Sequence, residues 1–172
     1  SVLPYNELGA AAAAYIADEK ELCRLDEIYS AAKAPFEIRS GSEKVTRRFF
    51  KICDKGQESF TGLYKSLTEQ GKCKGHQCIA YGLYMRDNGI ELSEGLAVYG
   101  YSICSAIVTN CVKLVPLSQL AGQKILGESF ELISSAAEKA LSADINDIGI
   151  SGAGFDLRAM QHERLYSRQY MS

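Results

Sequence analysis

The sequence predicts an all-α fold, a single-domain compact helical bundle over residues 1–172 that ends in a distinct C-terminal segment, 155–172. Apolar residues recur at helical spacing through nearly the whole chain, and residues 10–14 form a run of five alanines. No alternating pattern long enough for a strand is present, and neither is an internal repeat or a low-complexity linker. A chain of 172 residues has a suitable length for one domain with a sizeable core.

The first third of the chain predicts three helices. The alanine run has the highest intrinsic helix propensity, and a second helical period over 22–29 must end before Pro35. The third helix is expected over 37–53. Its apolar positions, which we expect to face the core, are Val45, Phe49, Ile52 and Cys53.

The remaining elements follow from periodicity and stop signals. A short helix over 60–67 is expected to stop at Gly71, and another is expected over 79–86. The stretch 93–113 lacks charge between Glu94 and Lys113. Its Gly, Ser, Thr and Asn content favours the central helix of a soluble bundle over a membrane span. Ser118 is placed to cap a helix running to about residue 141, and 145–154 is predicted to be a loop.

Composition predicts a soluble cytoplasmic protein. Hydrophobic residues make up 47% and charged residues 23% of the chain, and the net charge of -2 gives no attraction to nucleic acid. The six cysteines are scattered along the chain, a pattern typical of reduced thiols. We therefore expect neither nucleic-acid nor membrane binding.

The sequence does not predict an enzyme. It contains no phosphate-binding Gly-x-x-x-x-Gly-Lys loop, no Gly-x-Ser-x-Gly elbow and only two histidines. Cys73, His76 and Cys78 form the only compact cluster of metal-ligand types. They provide three ligands at most, whereas a closed structural zinc site needs four, so they are weak metal candidates.

Two stretches have the composition of protein-binding surfaces. Lys44, Arg48, Lys51 and Lys55 share one face of the third predicted helix, and Arg39 and Arg47 lie nearby. This face is either solvated or contacts an acidic partner surface. The second stretch is the C-terminal segment, where Tyr and Arg provide the contact area and directional polar groups typical of interfaces. Its candidate binding residues are His162, Arg164, Tyr166, Arg168 and Tyr170.

Two sequence motifs carry a family resemblance. The first is Gln-His-Glu-Arg-Leu-Tyr-Ser-Arg over 161–168, and the second comprises Asn-x-Val, Pro-Leu-x-Gln and Gly-Gln elements over 110–126. Both resemble motifs of the urease accessory protein F family, UreF. A weaker match consists of His76, Tyr81-Gly82 and Gly89. The similarity runs from about residue 37 to the end. The family's opening Phe-Pro-x-Gly and His-Ser-x-Gly-Leu-Glu elements do not occur, so its N-terminal helices are expected to be missing. Thr46 stands where many relatives carry Gly.

The resemblance implies an accessory chaperone that forms a homodimer and joins a UreD/UreH-type scaffold to the GTPase UreG. In that complex nickel is inserted into apo-urease. Nickel is then handled transiently, with no firmly bound cofactor. The C-terminal segment is the expected scaffold-binding region. Two alternatives stay open: a stand-alone nickel metallochaperone using Cys73, His76 and Cys78, and a regulator of GTP hydrolysis by UreG.

Overall fold

The computed structural model describes residues 2–53, 55–150 and 152–166, and these contain α-helices, two short 3-10 helices and no strand. The prediction of an all-α fold is confirmed. The 3-10 helices are Leu3–Tyr5 and Ile145–Asp147. The α-helices are Glu7–Ile16 (α1), Glu19–Ala32 (α2), Phe36–Ile52 (α3), Phe60–Glu69 (α4), Gln77–Asp87 (α5), Leu92–Leu114 (α6), Gln119–Glu128 (α7), Phe130–Leu141 (α8) and Ala153–His162 (α9).

The alanine run forms the centre of the core. Ala10, Ala11 and Ala14 of α1 are fully buried, and α1 packs most extensively against α5. Gly82 permits this close approach, since a Cβ atom built there would lie 2.2 Å from the carbonyl oxygen of Ala11. Small side chains on both helices thus let their backbones nearly touch, which explains why a helix with so little side-chain volume is central.

A buried carboxylate fixes the loop between α4 and α5. Asp26 of α2 accepts hydrogen bonds from the backbone N–H groups of Lys74 at 2.7 Å and Gly75 at 3.1 Å, and from the Tyr64 hydroxyl at 2.6 Å. These three donors satisfy a carboxylate that is only 2% exposed. The predicted stop at Gly71 is confirmed by its positive φ of 74°.

The buried face of α3 differs from the predicted one. Its buried residues are Thr46 and Phe50, whereas Val45 is 40% and Ile52 is 83% exposed. The prediction for Val45 and Ile52 is therefore wrong. The loop after α4 approaches α3 where a small side chain is needed, and a Cβ on Gly75 would lie 3.7 Å from the Thr46 methyl carbon. Thr46 fits this position without being glycine, so it is compatible with the close approach.

The prediction that the helix over 93–113 lies near the centre is correct only for its first half. Gly95, Leu96, Tyr99 and Gly100 of α6 are buried, but Ile107 is 57% exposed. At about 1.5 Å per residue, the 23 residues of α6 extend well beyond the 12 residues of α8, the helix that packs most extensively against it. The second half therefore projects past the core.

In the described part of the chain, α6 is the one helix long and apolar enough to cross a membrane, and 22% of its apolar window is buried. Core helices of soluble proteins meet the same length and composition criteria. The outer half of α6 also has a protein neighbour, because a Cβ on Gly122 of α7 would lie 2.8 Å from Val112.

The predicted helix from Ser118 to about residue 141 is two helices. Ser118 does cap α7, as its hydroxyl accepts a hydrogen bond from the Ala121 N–H at 3.1 Å. The helix ends at Ser129, whose hydroxyl donates to the Leu126 carbonyl at 2.7 Å, and α8 begins at the next residue. A serine hydroxyl that bonds to a carbonyl of the preceding turn competes with the backbone hydrogen bonds that would continue the helix. Hydrophobic periodicity does not reveal such a break.

Candidate functional site

Helix α9 lies on the surface and is attached to the N-terminus of α3. His162 Nδ1 lies 2.6 Å from Glu37 Oε2, and the Phe36 N–H donates to Glu163 Oε1 at 2.8 Å. Pro35 precedes α3 and offers no side-chain cap, so Glu163 supplies an acceptor that the helix otherwise lacks there. A carboxylate at this end is also favoured by the helix dipole.

The C-terminal segment exposes a large apolar area. No residue of α9 is buried, and beyond its end Tyr166 is completely exposed. The exposed apolar side chains of α9 and its continuation are Phe155, Leu157, Met160, Leu165 and Tyr166. Arg158 and Arg164 are exposed beside them. Leu157 and Met160 lie three residues apart on one face of α9, and an exposed apolar strip of this kind beside arginine side chains is typical of a protein-binding surface.

The candidate binding residues of the C-terminal segment lie at and beyond the end of α9. The helix ends at His162, and Arg164 and Tyr166 follow it. Arg168 and Tyr170 lie outside the described residues, and their predicted part in partner binding stays a prediction. Glu37 and Glu163, which hold the segment in place, were missed as functional residues because their partners lie 125 and 127 residues away in the chain.

The basic residues of α3 are exposed as a group, with one exception. Lys44, Arg47, Arg48 and Lys51 are solvent-exposed, and Arg47 pairs weakly with Glu43 at 3.6 Å. Arg39 differs, since its guanidinium donates to the carbonyl oxygens of Lys33 at 2.7 Å and Ala34 at 3.3 Å. Arg39 therefore caps the C-terminal end of α2, and its part in partner binding stays a prediction.

Lys55 also lies off the predicted basic face. It follows the end of α3 and donates to the Asn88 side chain at 2.5 Å. The exposed Val45 and Ile52 lie among the remaining basic residues, so this surface of α3, here called the α3 basic surface, is mixed apolar and basic. It is defined by Lys44, Val45, Arg48, Lys51 and Ile52.

The three metal-ligand types do not converge on a common point. The Cys73 thiol contacts Cys23, the imidazole of His76 contacts two serine hydroxyls, and Cys78 is buried beside Tyr29. Among the described residues, no group of three or more His, Cys, Asp and Glu side chains is arranged to hold a metal ion. Burial raises the pKa of Cys78 to about 12, which disfavours the thiolate that a metal needs. This arrangement does not favour the stand-alone metallochaperone.

His76 is a structural residue at the start of α5. Its Nε2 lies 2.7 Å from the Ser30 hydroxyl and its Nδ1 lies 3.3 Å from the Ser42 hydroxyl, and the ring is fully buried. Burial lowers the pKa of the imidazole, so the neutral form is favoured. The distance between His76 and Ser30 is that of a catalytic serine and its general base. In a catalytic triad, however, the second ring nitrogen is held by a carboxylate, and here it lies beside the Ser42 hydroxyl. The histidine instead ties α2, α3 and α5 together.

An unfilled groove of about 330 Å³ separates α3 from the projecting half of α6. Ile38 and Val45 line it from α3, and Ile103 and Ile107 line it from α6. Its lining also includes Glu7 and Lys33, which form an ion pair. The groove follows α6 from Tyr99 to Asn110, beyond most of the buried residues of its first half. We call it the α3–α6 groove, and periodicity alone did not reveal it.

These features define a class of protein: an all-helical protein with exposed, mixed apolar and basic surfaces. The UreF family model matches residues 2–129, and the chain belongs to the UreF family. All of α8 and all of α9 lie beyond that match.

Similar curated proteins carry the name urease accessory protein UreF. The protein of Actinobacillus pleuropneumoniae serotype 5b is 33% identical over 156 residues, which cover 90% of this chain and 69% of that protein. The Haemophilus influenzae protein (strain Rd) is 36% identical over 153 residues, covering 88% and 65%. The Streptococcus salivarius protein is 27% identical over 154 residues, covering 89% and 65%. The chain thus spans about two thirds of the length of these accessory proteins.

Proposed function

We propose that this chain is a non-enzymatic urease maturation factor that joins a UreD/UreH-type scaffold to the GTPase UreG as a homodimer in the cytoplasm. In the assembled complex, nickel is the cargo that is inserted into apo-urease. Membership of the UreF family supports a role in urease maturation. The partners, the dimer and the handling of nickel are the finer parts of the proposal, and each has its own test.

The exposed C-terminal segment is the observation that carries the proposal. A helix without one buried residue gains little from packing on its own domain, yet this one carries Phe155, Leu157 and Met160 in solvent. Its attachment through Glu37 and Glu163 holds the strip at a defined position while leaving its apolar side chains available. A preorganised apolar strip with flanking arginines suits a protein partner, and we assign it to the scaffold.

Removal of the segment provides the test. A chain ending at Gln161 and a Tyr166→Ala variant are compared with the parent for capture of the UreD/UreH-type protein. Loss of an aromatic anchor from a well-packed interface typically costs about 2 kcal/mol or more, which corresponds to about 30-fold in affinity. Ile16→Ala is the matched control, since Ile16 is 74% exposed on α1. Undiminished capture by the shortened chain would show that the segment is not the scaffold site.

The α3 basic surface is proposed as the contact for UreG. It lies on the helix that also holds the C-terminal segment, so both partners would be arranged along one rigid element. Arg48→Glu and Lys51→Glu are expected to weaken UreG binding and to reduce its dependence on salt concentration. Lys124→Glu is the control, since Lys124 is an exposed lysine on α7.

The same variants address the regulatory alternative. GTP turnover by UreG is measured with and without the chain at saturating concentrations. A change in turnover that Arg48→Glu abolishes without loss of binding would identify a regulator of hydrolysis. If Arg48→Glu weakens UreG binding and the chain does not change GTP turnover by UreG, the bridging role is supported.

The outer half of α6 is proposed as the homodimer contact. Ile103, Ile107 and Leu114 lie at helical spacing on one face, and the chain from residue 95 to 112 carries no charge. In a two-fold dimer the same patch meets itself, and an uncharged patch does so without like-charge repulsion. The α3–α6 groove beside it leaves room for apolar side chains of the second copy.

Sedimentation of the parent and of Ile107→Glu tests the dimer. The parent is expected to sediment as a dimer and the variant as a monomer, with unchanged circular dichroism because Ile107 is 57% exposed. Ile16→Glu, which places the same charge on an exposed isoleucine of α1, is expected to stay dimeric. A monomeric parent at micromolar concentration would contradict this part of the proposal.

A further inference from the structure

Two cysteines far apart in the chain lie in contact. Cys23 is on α2 and Cys73 is in the loop between α4 and α5, 50 residues later, yet their sulfur atoms are 3.7 Å apart. The Cys73 thiol donates to the Cys23 sulfur. Both are free thiols in the structure.

The two sulfurs differ in their access to solvent. Cys73 is only 4% exposed, whereas Cys23 is half-buried and lines an open recess of about 410 Å³. A small molecule that enters this recess therefore meets Cys23 first. The other residues lining the recess are Arg24, Asp26, Glu27, Ser30, Lys72 and Lys74.

We propose that Cys23 and Cys73 form a reversible disulfide by exchange with a low-molecular-weight disulfide of the glutathione type. Cys23 acts as the attacking thiol and Cys73 as the resolving thiol. This is a modification site distinct from the surfaces assigned to protein partners, and it does not depend on the proposed function.

The exchange proceeds in two balanced steps. The Cys23 thiolate attacks one sulfur of oxidised glutathione, the glutathione S–S bond breaks, and one glutathione leaves as a thiolate that takes up a proton. Cys73 then loses its proton to solvent, and its sulfur attacks the Cys23 sulfur of the mixed disulfide and releases the second glutathione. Two protein thiols are oxidised, and one glutathione disulfide is reduced to two thiols. Burial raises the pKa of the Cys73 thiol, so the second step is expected to be the slower one.

The geometry requires little movement. A disulfide needs a sulfur–sulfur distance of about 2.05 Å, so the two atoms must approach by about 1.7 Å from 3.7 Å. Cys73 is next to Lys74, whose N–H is held by Asp26 of the helix that carries Cys23. The loop is thus already fixed against α2, and the cross-link would lock an existing contact.

Peptide mapping of the full chain after incubation with oxidised glutathione tests the proposal. We expect a linked peptide pair containing Cys23 and Cys73, loss of two free thiols at this pair, and a thermal midpoint several degrees higher that returns on adding dithiothreitol. Cys23→Ser and Cys73→Ala should each lack the linked pair and the shift. Cys111→Ser, which removes a half-buried cysteine on α6, should retain both.

The mapping of the parent chain requires no variant to fold. A stable glutathione adduct on Cys23 without the Cys23–Cys73 link would overturn the proposal. The proposal would also be overturned if Cys73 remained a free thiol after all other accessible thiols of the chain had reacted.

Discussion

The Tyr64 hydroxyl donates a hydrogen bond of 2.6 Å to the carboxylate of Asp26 and at the same time accepts one of 2.8 Å from the His76 N–H. Burial, and then the negative charge of Asp26, raise the pKa of Tyr64, so the hydroxyl stays protonated and continues to donate. This one atom joins α2, α4 and the start of α5. The relationship matters because the loop it fixes also carries Cys73.

Replacing Tyr64 by Phe should therefore destabilise the fold. Asp26 would lose one of its three donors, and the buried His76 N–H would lose its acceptor, so we expect the free energy of unfolding to fall by about 1–3 kcal/mol. Urea unfolding followed by circular dichroism measures the change. Tyr166→Phe is the control, since Tyr166 is fully exposed and should leave stability within about 0.5 kcal/mol. Equal effects of the two variants would contradict the buried network.

Gly82→Ala should disrupt the contact between α1 and α5. The added Cβ would lie 2.2 Å from the Ala11 carbonyl oxygen, which belongs to a backbone that cannot rotate away. We expect a loss of about 1–3 kcal/mol or more in unfolding free energy. Gly127→Ala on α7 is the matched control, because nothing lies within 4 Å of its added Cβ and Ala is the better helix former. Gly127→Ala should leave the free energy of unfolding unchanged or raise it. An unchanged free energy of unfolding in Gly82→Ala would show that α1 and α5 have room to separate.

The same two glycines show how far the sequence could predict the fold. Periodicity, the alanine run and Gly71 predicted most helices and their ends, because these depend on local propensity and steric rules. Burial was harder to predict, since Val45 and Ile52 fit a core-facing pattern but α3 turns Thr46 and Phe50 inward to meet the loop after α4. Gly82 lies against the backbone of another helix and Gly127 does not. This difference depends on the tertiary structure, and no local sequence pattern reveals it.

The candidate site was predictable to a similar extent. The composition of the C-terminal segment and of α3 indicated exposed interaction surfaces, and Lys44, Arg48 and Lys51 are exposed as expected. The hydrogen bonds of Arg39 to the C-terminal end of α2 could not be predicted, because they depend on how α2 and α3 are placed relative to each other. Contacts between residues separated by 50 or more positions, such as Cys23 with Cys73, follow only from the tertiary structure.

Stability should decrease as the pH falls below 6.5 because of His76. Burial lowers its pKa in the folded state from 6.5, so below that pH the unfolded chain binds a proton that the folded chain resists. The unfolded state binds more protons in this window, hence stability rises with pH there, by at most about 1.4 kcal/mol per pH unit for one group. Above pH 6.5 both states hold a neutral imidazole and this contribution is constant.

Urea unfolding at several pH values between 5 and 8 measures the dependence on His76. His76→Gln is expected to be less stable overall but to show a flatter profile in this window than the parent. His162→Gln removes the other histidine, which lies outside the core, and serves as the control. A His76→Gln profile parallel to that of the parent would assign the acid sensitivity to other groups.

Loss of the contact between His162 and Glu37 should release α9 without unfolding the rest of the chain. A partly buried hydrogen bond contributes on the order of 1 kcal/mol, so Glu37→Gln should increase local opening of α9 by up to about five-fold. Because no residue of α9 is buried, the global unfolding transition should not change. Limited trypsin digestion reports the opening through faster cleavage at Arg158 and Arg164.

Glu138→Gln on α8 is the control for a lost surface charge. The double variant Glu37→Gln/Glu163→Gln also removes the acceptor at the N-terminus of α3 and should be cleaved faster still. Equal cleavage rates in all four proteins would mean that α9 is held by contacts other than these two carboxylates.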